Sequence, residues 1–318
     1  MLDLETKVLK AAQRIEPHIR ETYFERSKAF SELLDGNVWF KLEDMQYTGS
    51  FKARGAMNKL LTLVDSDKSN GVITASTGNH GAGVAFAAKK INLDCTIYVP
   101  EGASEAKIAN MNKYDANIVV HGIDSVEAEK KAREISNIHK MTYIPPYNDI
   151  DVIAGQGTIG FEIEKQSEEL NSIIIAVGGG GLISGIASYL KSIWPNINII
   201  GCSPKNSAVM LRSIDAGHIV NIDSESTLSD GTGGGVESES ITFPLCCELI
   251  DEKVLLTEEE IKNGMISYIK NEQRLLEGSA GLAVAALIKK QKELRGQKIG
   301  VIICGGNISI ETIRQVLN

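Results

Sequence analysis

The chain has no run approaching the ~18 consecutive apolar residues of a membrane-spanning helix. Its start, MLDLETKVLKAAQRIEPHIRET, is charged and helical in period, without the apolar stretch and small-residue cleavage site of a secretory leader. These absences point to a cytoplasmic protein with no membrane partner. Basic blocks are missing too. Lys and Arg number 33 against 41 Asp and Glu, a net charge of −8 spread along 318 residues. No basic stripe is available to neutralise a run of phosphates, so nucleic acid is not an expected partner. Cysteine is scarce: Cys95, Cys202, Cys246, Cys247 and Cys304 are odd in number and lack CxxC spacing. That pattern suggests neither a disulfide framework nor a zinc site, and leaves free thiols. No internal repeat, low-complexity segment or Pro/Gly/Ser-rich linker is present, so composition marks no domain boundary.

What is present describes a packed globular protein: 43% hydrophobic and 23% charged residues. The length exceeds the roughly 100–200 residues of a common domain, which predicts two domains. Val- and Ile-rich runs recur as VWFKLE, GVITAS, CTIYVP, NIVVHG, SIIIAVGGG, INIIGC and IGVIICGG, and each reads as a buried strand. Between them, stretches at 79–90, 104–113, 125–140 and 182–193 are apolar on one face and long enough for helices. Thr257 followed by Glu260 has the spacing of a capping box at the start of another helix. Alternation of this kind predicts an α/β fold with open parallel sheets covered by helices on both faces. Ligands of such sheets bind at the carboxyl ends of strands.

Three loops follow predicted strands: Ser76-Thr77-Gly78-Asn79-His80, Gly178-Gly179-Gly180-Gly181-Leu182 and Cys304-Gly305-Gly306-Asn307. The glycine run precedes a helix, so its backbone N–H groups and the helix start could hold a phosphate; alternatively it lets a helix pack close to a strand. Neither dinucleotide nor P-loop spacing fits. The third glycine of GxGxxG would fall on Ile183 or Ser184, and the P-loop lysine on Ile186. A single phosphate on a smaller cofactor remains. Lys52 lies in Gly49-Ser50-Phe51-Lys52-Ala53-Arg54-Gly55-Ala56 at a predicted helix start. By itself it would be a solvated surface charge. Beside an anion loop, its amine suits a Schiff base with a phosphorylated aldehyde cofactor.

With Lys41-Leu42-Glu43-Asp44, the Lys52 segment, Ser76 to His80, Ile153-Ala154-Gly155-Gln156-Gly157-Thr158, Gly178 to Leu182, Glu277-Gly278-Ser279-Ala280-Gly281 and Cys304 to Asn307 in that order, the chain resembles the fold-type II pyridoxal-phosphate enzymes. It is most similar to their serine/threonine dehydratase branch, related to serine racemases. The resemblance spans nearly the whole chain. Ala53 and His80 place it on the dehydratase side, because cysteine-synthase relatives carry an acid after the lysine and lack the histidine. It implies a tryptophan synthase β-like, two-domain fold, with residues 1–50 and 150–318 forming the large domain and 51–149 the small one. It also implies pyridoxal 5'-phosphate as cofactor, a homodimer, and β-elimination of a hydroxy amino acid such as L-threonine or L-serine to a 2-oxo acid and ammonia.

The same resemblance assigns residues. Lys52 would carry the cofactor and take the substrate α-proton, and Phe51 would pack against the cofactor ring. Asn79 would donate to its phenolic oxygen, and Gly178, Gly179, Gly180, Gly181 and Leu182 would take the phosphate. Ser76, Thr77, Asn79 and His80 would receive the substrate carboxylate. Thr77 stands where serine racemases carry a serine that acts on the face opposite Lys52; threonine keeps the hydroxyl but stiffens χ1. Glu277 would lie near the ring or the leaving hydroxyl, and is equally read as an acid at a helix N-terminus. His80 is equally read as a structural histidine within its loop. Cys304 falls at the position facing the pyridine nitrogen, where a thiol leaves the ring nearer neutral than a carboxylate would; the other reading is a small buried apolar residue.

Two departures stand out. Thr22-Tyr23-Phe24 replaces the Thr-Pro-Leu of many relatives, and Ser203-Pro204-Lys205-Asn206-Ser207-Ala208-Val209 replaces the acidic run that holds a divalent cation in some. No metal is expected there, since hard cations need oxygen ligands, preferably carboxylates. The chain stops soon after Cys304, so a C-terminal regulatory domain is not expected. A racemase, a dehydratase of another β-hydroxy amino acid such as 3-hydroxyaspartate, and a non-catalytic pyridoxal-phosphate or amino-acid-binding protein remain as alternatives. Retention of Lys52 argues against the last.

Overall fold

The computed structural model describes residues 3–103 and 105–318; the helix start expected at Ser104 lies outside them. Strands β1 (Phe24–Ser27), β2 (Asn37–Leu42), β7 (Ser172–Ala176), β8 (Asn198–Pro204), β9 (Glu252–Leu256) and β10 (Lys298–Ile303) form one sheet in the order β1-β2-β10-β7-β8-β9. Strands β3 (Val72–Ala75), β4 (Cys95–Val99), β5 (Asn117–Val120) and β6 (Thr142–Tyr143) form a second, in the order β5-β4-β3-β6. All pairings are parallel except β1 with β2. Every apolar run singled out in the sequence is a strand.

Burial explains why. Ile173, Ile174 and Ile175 of β7 are fully buried, under helices Gly181–Ile193 and Gly278–Lys289 among others. Each such side chain contributes about 1.5–3 kcal/mol relative to exposure, which outweighs any local preference of the segment. Helix ends follow from capping. Asp149 accepts from the N–H groups of Asp151 and Val152 at 2.8 and 3.1 Å to start helix Ile150–Gln166. Both bonds of the capping box at Thr257 and Glu260 are present. Among the described residues no helix is long and apolar enough to cross a membrane.

Helix Lys52–Thr62 joins the two sheets. Its start is pinned to the end of β10: Phe51 N–H donates to the Cys304 carbonyl at 3.0 Å, and Ser50 bridges Gly305. One turn on, Arg54 is fully buried between two carboxylates. Its guanidinium donates to both oxygens of Glu43 (2.7 and 2.8 Å) and both of Glu162 (2.6 and 2.8 Å). Lys41 Nζ also meets Glu162, at 2.6 Å, while Thr22 Oγ1 donates to Glu43 at 2.6 Å. The conspicuous Lys41-Leu42-Glu43 and Thr22 thus belong to one ion network that locks the Lys52 helix onto β2 and helix Ile150–Gln166.

Candidate active site

In the larger sheet, β8 and β9 extend to one side of β7 and β10 returns on the other, so strand order reverses between β7 and β10. The smaller sheet reverses likewise between β3 and β6. A crevice opens at the carboxyl ends of strands at such a point. The two crevices face each other across a cleft of about 490 Å³. Each contributes the loops that follow its strands: Gly178 to Leu182 after β7, Cys304 after β10, Ser76 to His80 after β3 and Pro146-Tyr147 after β6.

Lys52 projects into this cleft and its Nζ donates to the Pro146 carbonyl at 2.8 Å. Desolvation outweighs the nearby Cys304 and Glu277 and lowers its pKa to about 8. The helix Asn79–Lys90 passes so close that a Cβ on Gly83 would stand 3.0 Å from the Lys52 carbonyl, so that any larger residue would require the Lys52 backbone to give way. Phe51 lies beside the amine, its ring centroid 5.2 Å from Nζ. Across the cleft, Gly180 adopts a left-handed φ of 85° and begins helix Gly181–Ile193. Among the described residues no protein group accepts from the N–H groups of Gly178 to Gly181. Those donors, with the helix start behind them, form a cradle for an anion.

Glu277 is buried, and both its oxygens accept from Asn79 Nδ2, at 2.9 and 3.0 Å. Asn307 holds the other end of Asn79, donating to Oδ1 at 2.7 Å. Cys304 Sγ lies 3.9 Å from Glu277 Oε1. Burial, then the Glu277 charge, raises the Cys304 pKa well above its ordinary value, so it is a neutral thiol. His80 is buried with Nε2 2.9 Å from the Ile144 carbonyl. Desolvation and then Lys52 lower its pKa to about 3. The neutral ring therefore donates Nε2–H to Ile144, and its side chain serves the loop's structure.

The structure brings Phe51, Lys52, Ser76, Thr77, Asn79, His80, Gly178 to Leu182, Glu277 and Cys304 to one cleft. Sequence reading missed other lining residues: Tyr147, Gln156, Ser279, and the segment Asp230-Gly231-Thr232-Gly233 with Gly235. Gln156 was visible within a motif but had no role; its Oε1 accepts Gly55 N–H at 3.1 Å. The triple glycine 233–235 was a readable signal for a loop close to a ligand. Tyr147 carried no signal. Its ring occupies the space a Cβ on Gly179 would need, a contact no local pattern encodes.

The fold and the cleft define an α/β enzyme class in which a lysine at a helix start, pinned against the end of one strand, shares a cleft with the glycine anion loop that follows the neighbouring strand. A family model described as "Pyridoxal-phosphate dependent enzyme" matches residues 15–305, and the chain belongs to that family. It is 39% identical over 311 residues to a catabolic L-threonine dehydratase of Escherichia coli (strain K12), covering 97% of this chain and 94% of that protein. The processed form of threonine deaminase isoform 2 from Solanum lycopersicum superposes with a TM-score of 0.94 at 34% identity, covering 99% and 93% of the two chains. Maize serine racemase superposes with a TM-score of 0.93 at 30% identity, covering 98% and 96%.

Proposed function

We propose that this protein is a pyridoxal-phosphate-dependent ammonia-lyase that dehydrates a β-hydroxy amino acid, L-threonine or L-serine, to a 2-oxo acid and ammonia. The observation that carries the reading is the Lys52 amine, with its pKa lowered to about 8, in one cleft with glycine-loop N–H groups that have no protein acceptor among the described residues. Residues and cofactor fit: a phosphate would satisfy donors that have no protein acceptor among the described residues, and the amine suits an aldehyde. When bound, pyridoxal phosphate supplies the electron sink that loss of an α-proton needs.

The chain's own groups do the rest. Lys52 would hold the cofactor and act as the base for the α-proton, its pKa lowered to about 8 by burial. Gly178 to Leu182 bind the phosphate. The loop Ser76 to His80 would receive the substrate carboxylate at a strand-to-helix turn through the N–H groups of Thr77, Asn79 and His80, since those of Ser76 and Gly78 already donate to the Tyr98 carbonyl and Ser76 Oγ. Asn79, fixed by Glu277 and Asn307, would help hold the cofactor ring. Cys304, a neutral thiol, would face the cofactor ring and leave it nearer neutral than a carboxylate would, which would favour prompt loss of the β-hydroxyl. Residues 1–50 and 150–318 act as the larger unit and 51–149 as the smaller, in a cytoplasmic homodimer.

A panel of hydroxy amino acids scored for 2-oxo acid and ammonia tests this. L-Threonine and L-serine should lead. No ammonia from any of them would overturn the reading. The likeness to a serine racemase supports a second one, which turns on Thr77 in the cleft. A β-branched hydroxyl is a poorer proton donor to the face opposite Lys52, so pyruvate should form much faster than D-serine from L-serine. Chiral chromatography beside a pyruvate assay decides between them.

A further inference from the structure

The glycine loop is held from behind by two hydroxyls that no sequence motif singles out. Ser203, at the end of β8, is fully buried and donates to the Val177 carbonyl at 2.7 Å. Thr242, the first residue of helix Thr242–Leu249, is also fully buried and donates to the Gly179 carbonyl at 2.6 Å. Thr242 has one hydroxyl proton and gives it to Gly179. In its 2.6 Å contact with Ser240 it must therefore accept, so the protons run one way, from Ser240 to Thr242 to Gly179. Aligned hydroxyls of this kind polarise and strengthen one another.

The peptide bonds here are trans. In a planar trans peptide the carbonyl and the following N–H point in opposite directions. Ser203 draws the Val177 carbonyl into the core, which turns the Gly178 N–H the other way. Thr242 does the same for the Gly180 N–H by way of the Gly179 carbonyl. The Gly180 carbonyl is taken by Ser184 N–H at 2.9 Å in the helix's first turn. The side opposite the core is the cleft that Gly178 and Gly180 line, and neither N–H has a protein acceptor among the described residues.

We infer that Thr242 and Ser203 are positioning residues that set the anion-binding geometry of the glycine loop, each fixing one carbonyl in the core so that the next N–H aims at the cofactor's phosphate. Ser203 opens the segment that carries acidic residues in metal-holding relatives; here it serves the phosphate. Side-chain hydroxyls that merely satisfied buried carbonyls would contribute to stability and leave phosphate recognition unchanged.

The inference rests on the family's cofactor, and its test separates the two. The cofactor-depleted full chain is titrated calorimetrically with pyridoxal 5'-phosphate, with pyridoxal and with inorganic phosphate. The proteins compared are wild type, Thr242→Val, Thr242→Ser and Ser203→Ala. Thr242→Val should weaken pyridoxal 5'-phosphate and inorganic phosphate roughly 10- to 100-fold, the scale of one hydrogen bond to a charged group, and leave pyridoxal within about twofold. Thr242→Ser should restore the wild-type affinities. Ser203→Ala should repeat the selective loss, and it carries the test alone if Thr242→Val does not fold. Equal affinities for pyridoxal 5'-phosphate in wild type and the folded variants overturn the inference, as does equal loss of pyridoxal. If wild type itself takes up no pyridoxal 5'-phosphate, the cofactor reading falls instead.

Discussion

Lys52 and Arg54 stand two residues apart on one helix, one in the cleft and one in the ion network, and their surroundings drive them in opposite directions. For Arg54, burial is outweighed by Glu43 and Glu162, and its pKa rises above the ordinary arginine value. For Lys52 burial prevails over Cys304 and Glu277, and its pKa falls to about 8. The same desolvation acts on both. What differs is partners: Arg54 meets two carboxylates in forked geometry, whereas the bond found at the lysine amine is to a neutral backbone carbonyl. Glu162 completes the contrast. Burial would raise its pKa, yet Arg54 and then Lys41 hold it below the ordinary carboxylate value. Arg54 and Glu162 keep their charges, and the cleft keeps an amine able to give up its proton.

Replacing the lysine should produce the largest effect. Lys52→Ala is expected to lower turnover by at least the roughly 10²–10⁴-fold of a lost acid–base group while the fold survives. Borohydride reduction of wild type followed by peptide mapping should find the pyridoxyl group on Lys52; a different lysine would break the assignment. Arg54→Met attacks the other side of the comparison. It strands Glu43, leaves Glu162 with Lys41 alone, and should cost about 3–5 kcal/mol in urea unfolding. A loss under about 1 kcal/mol would mean that water reaches the network, and the contrast with the cleft would then disappear.

The pH dependence of cofactor uptake gives a subtler reading. Only the neutral amine attacks the aldehyde, so the uptake rate of the cofactor-depleted protein should rise with pH and level off above about 8. Below that it should fall about tenfold per pH unit; a rise continuing toward about 10.4 would show an ordinary exposed lysine. The smallest expected effect is none. His80, with a pKa of about 3, should show no ring protonation by nitrogen NMR between about pH 8 and 5, where an unperturbed histidine titrates.

Strands show how far local pattern reaches. The ones that sequence analysis did not identify, β1, β6 and β9, all lie at sheet edges. Phe24–Ser27 and Glu252–Leu256 mix exposed or half-buried residues with buried ones, and Thr142–Tyr143 is too short to show a period. An edge strand is paired on one side and half solvated, so selection for apolar residues is weak. Strands such as β7 lie inside a sheet and must be apolar throughout. The glycine loop and Cys304 were legible because each follows an apolar strand and so falls at a carboxyl end; Lys52 was legible from its motif and from the anion loop that would accompany it.

The sequence by itself determined the alternation of strands and helices, the loops at strand ends and the residues able to bind an anion and an aldehyde, because those depend on side-chain type and on spacing within about ten residues. Only the tertiary structure decided that both sheets reverse strand order at the same cleft, that Arg54 closes a network with Glu162 from a distant helix, and that Thr242 reaches Gly179. Those contacts join segments separated by sixty or more residues. Nothing local distinguishes a serine or threonine that meets a distant carbonyl from one that meets water; packing of the whole chain makes the difference.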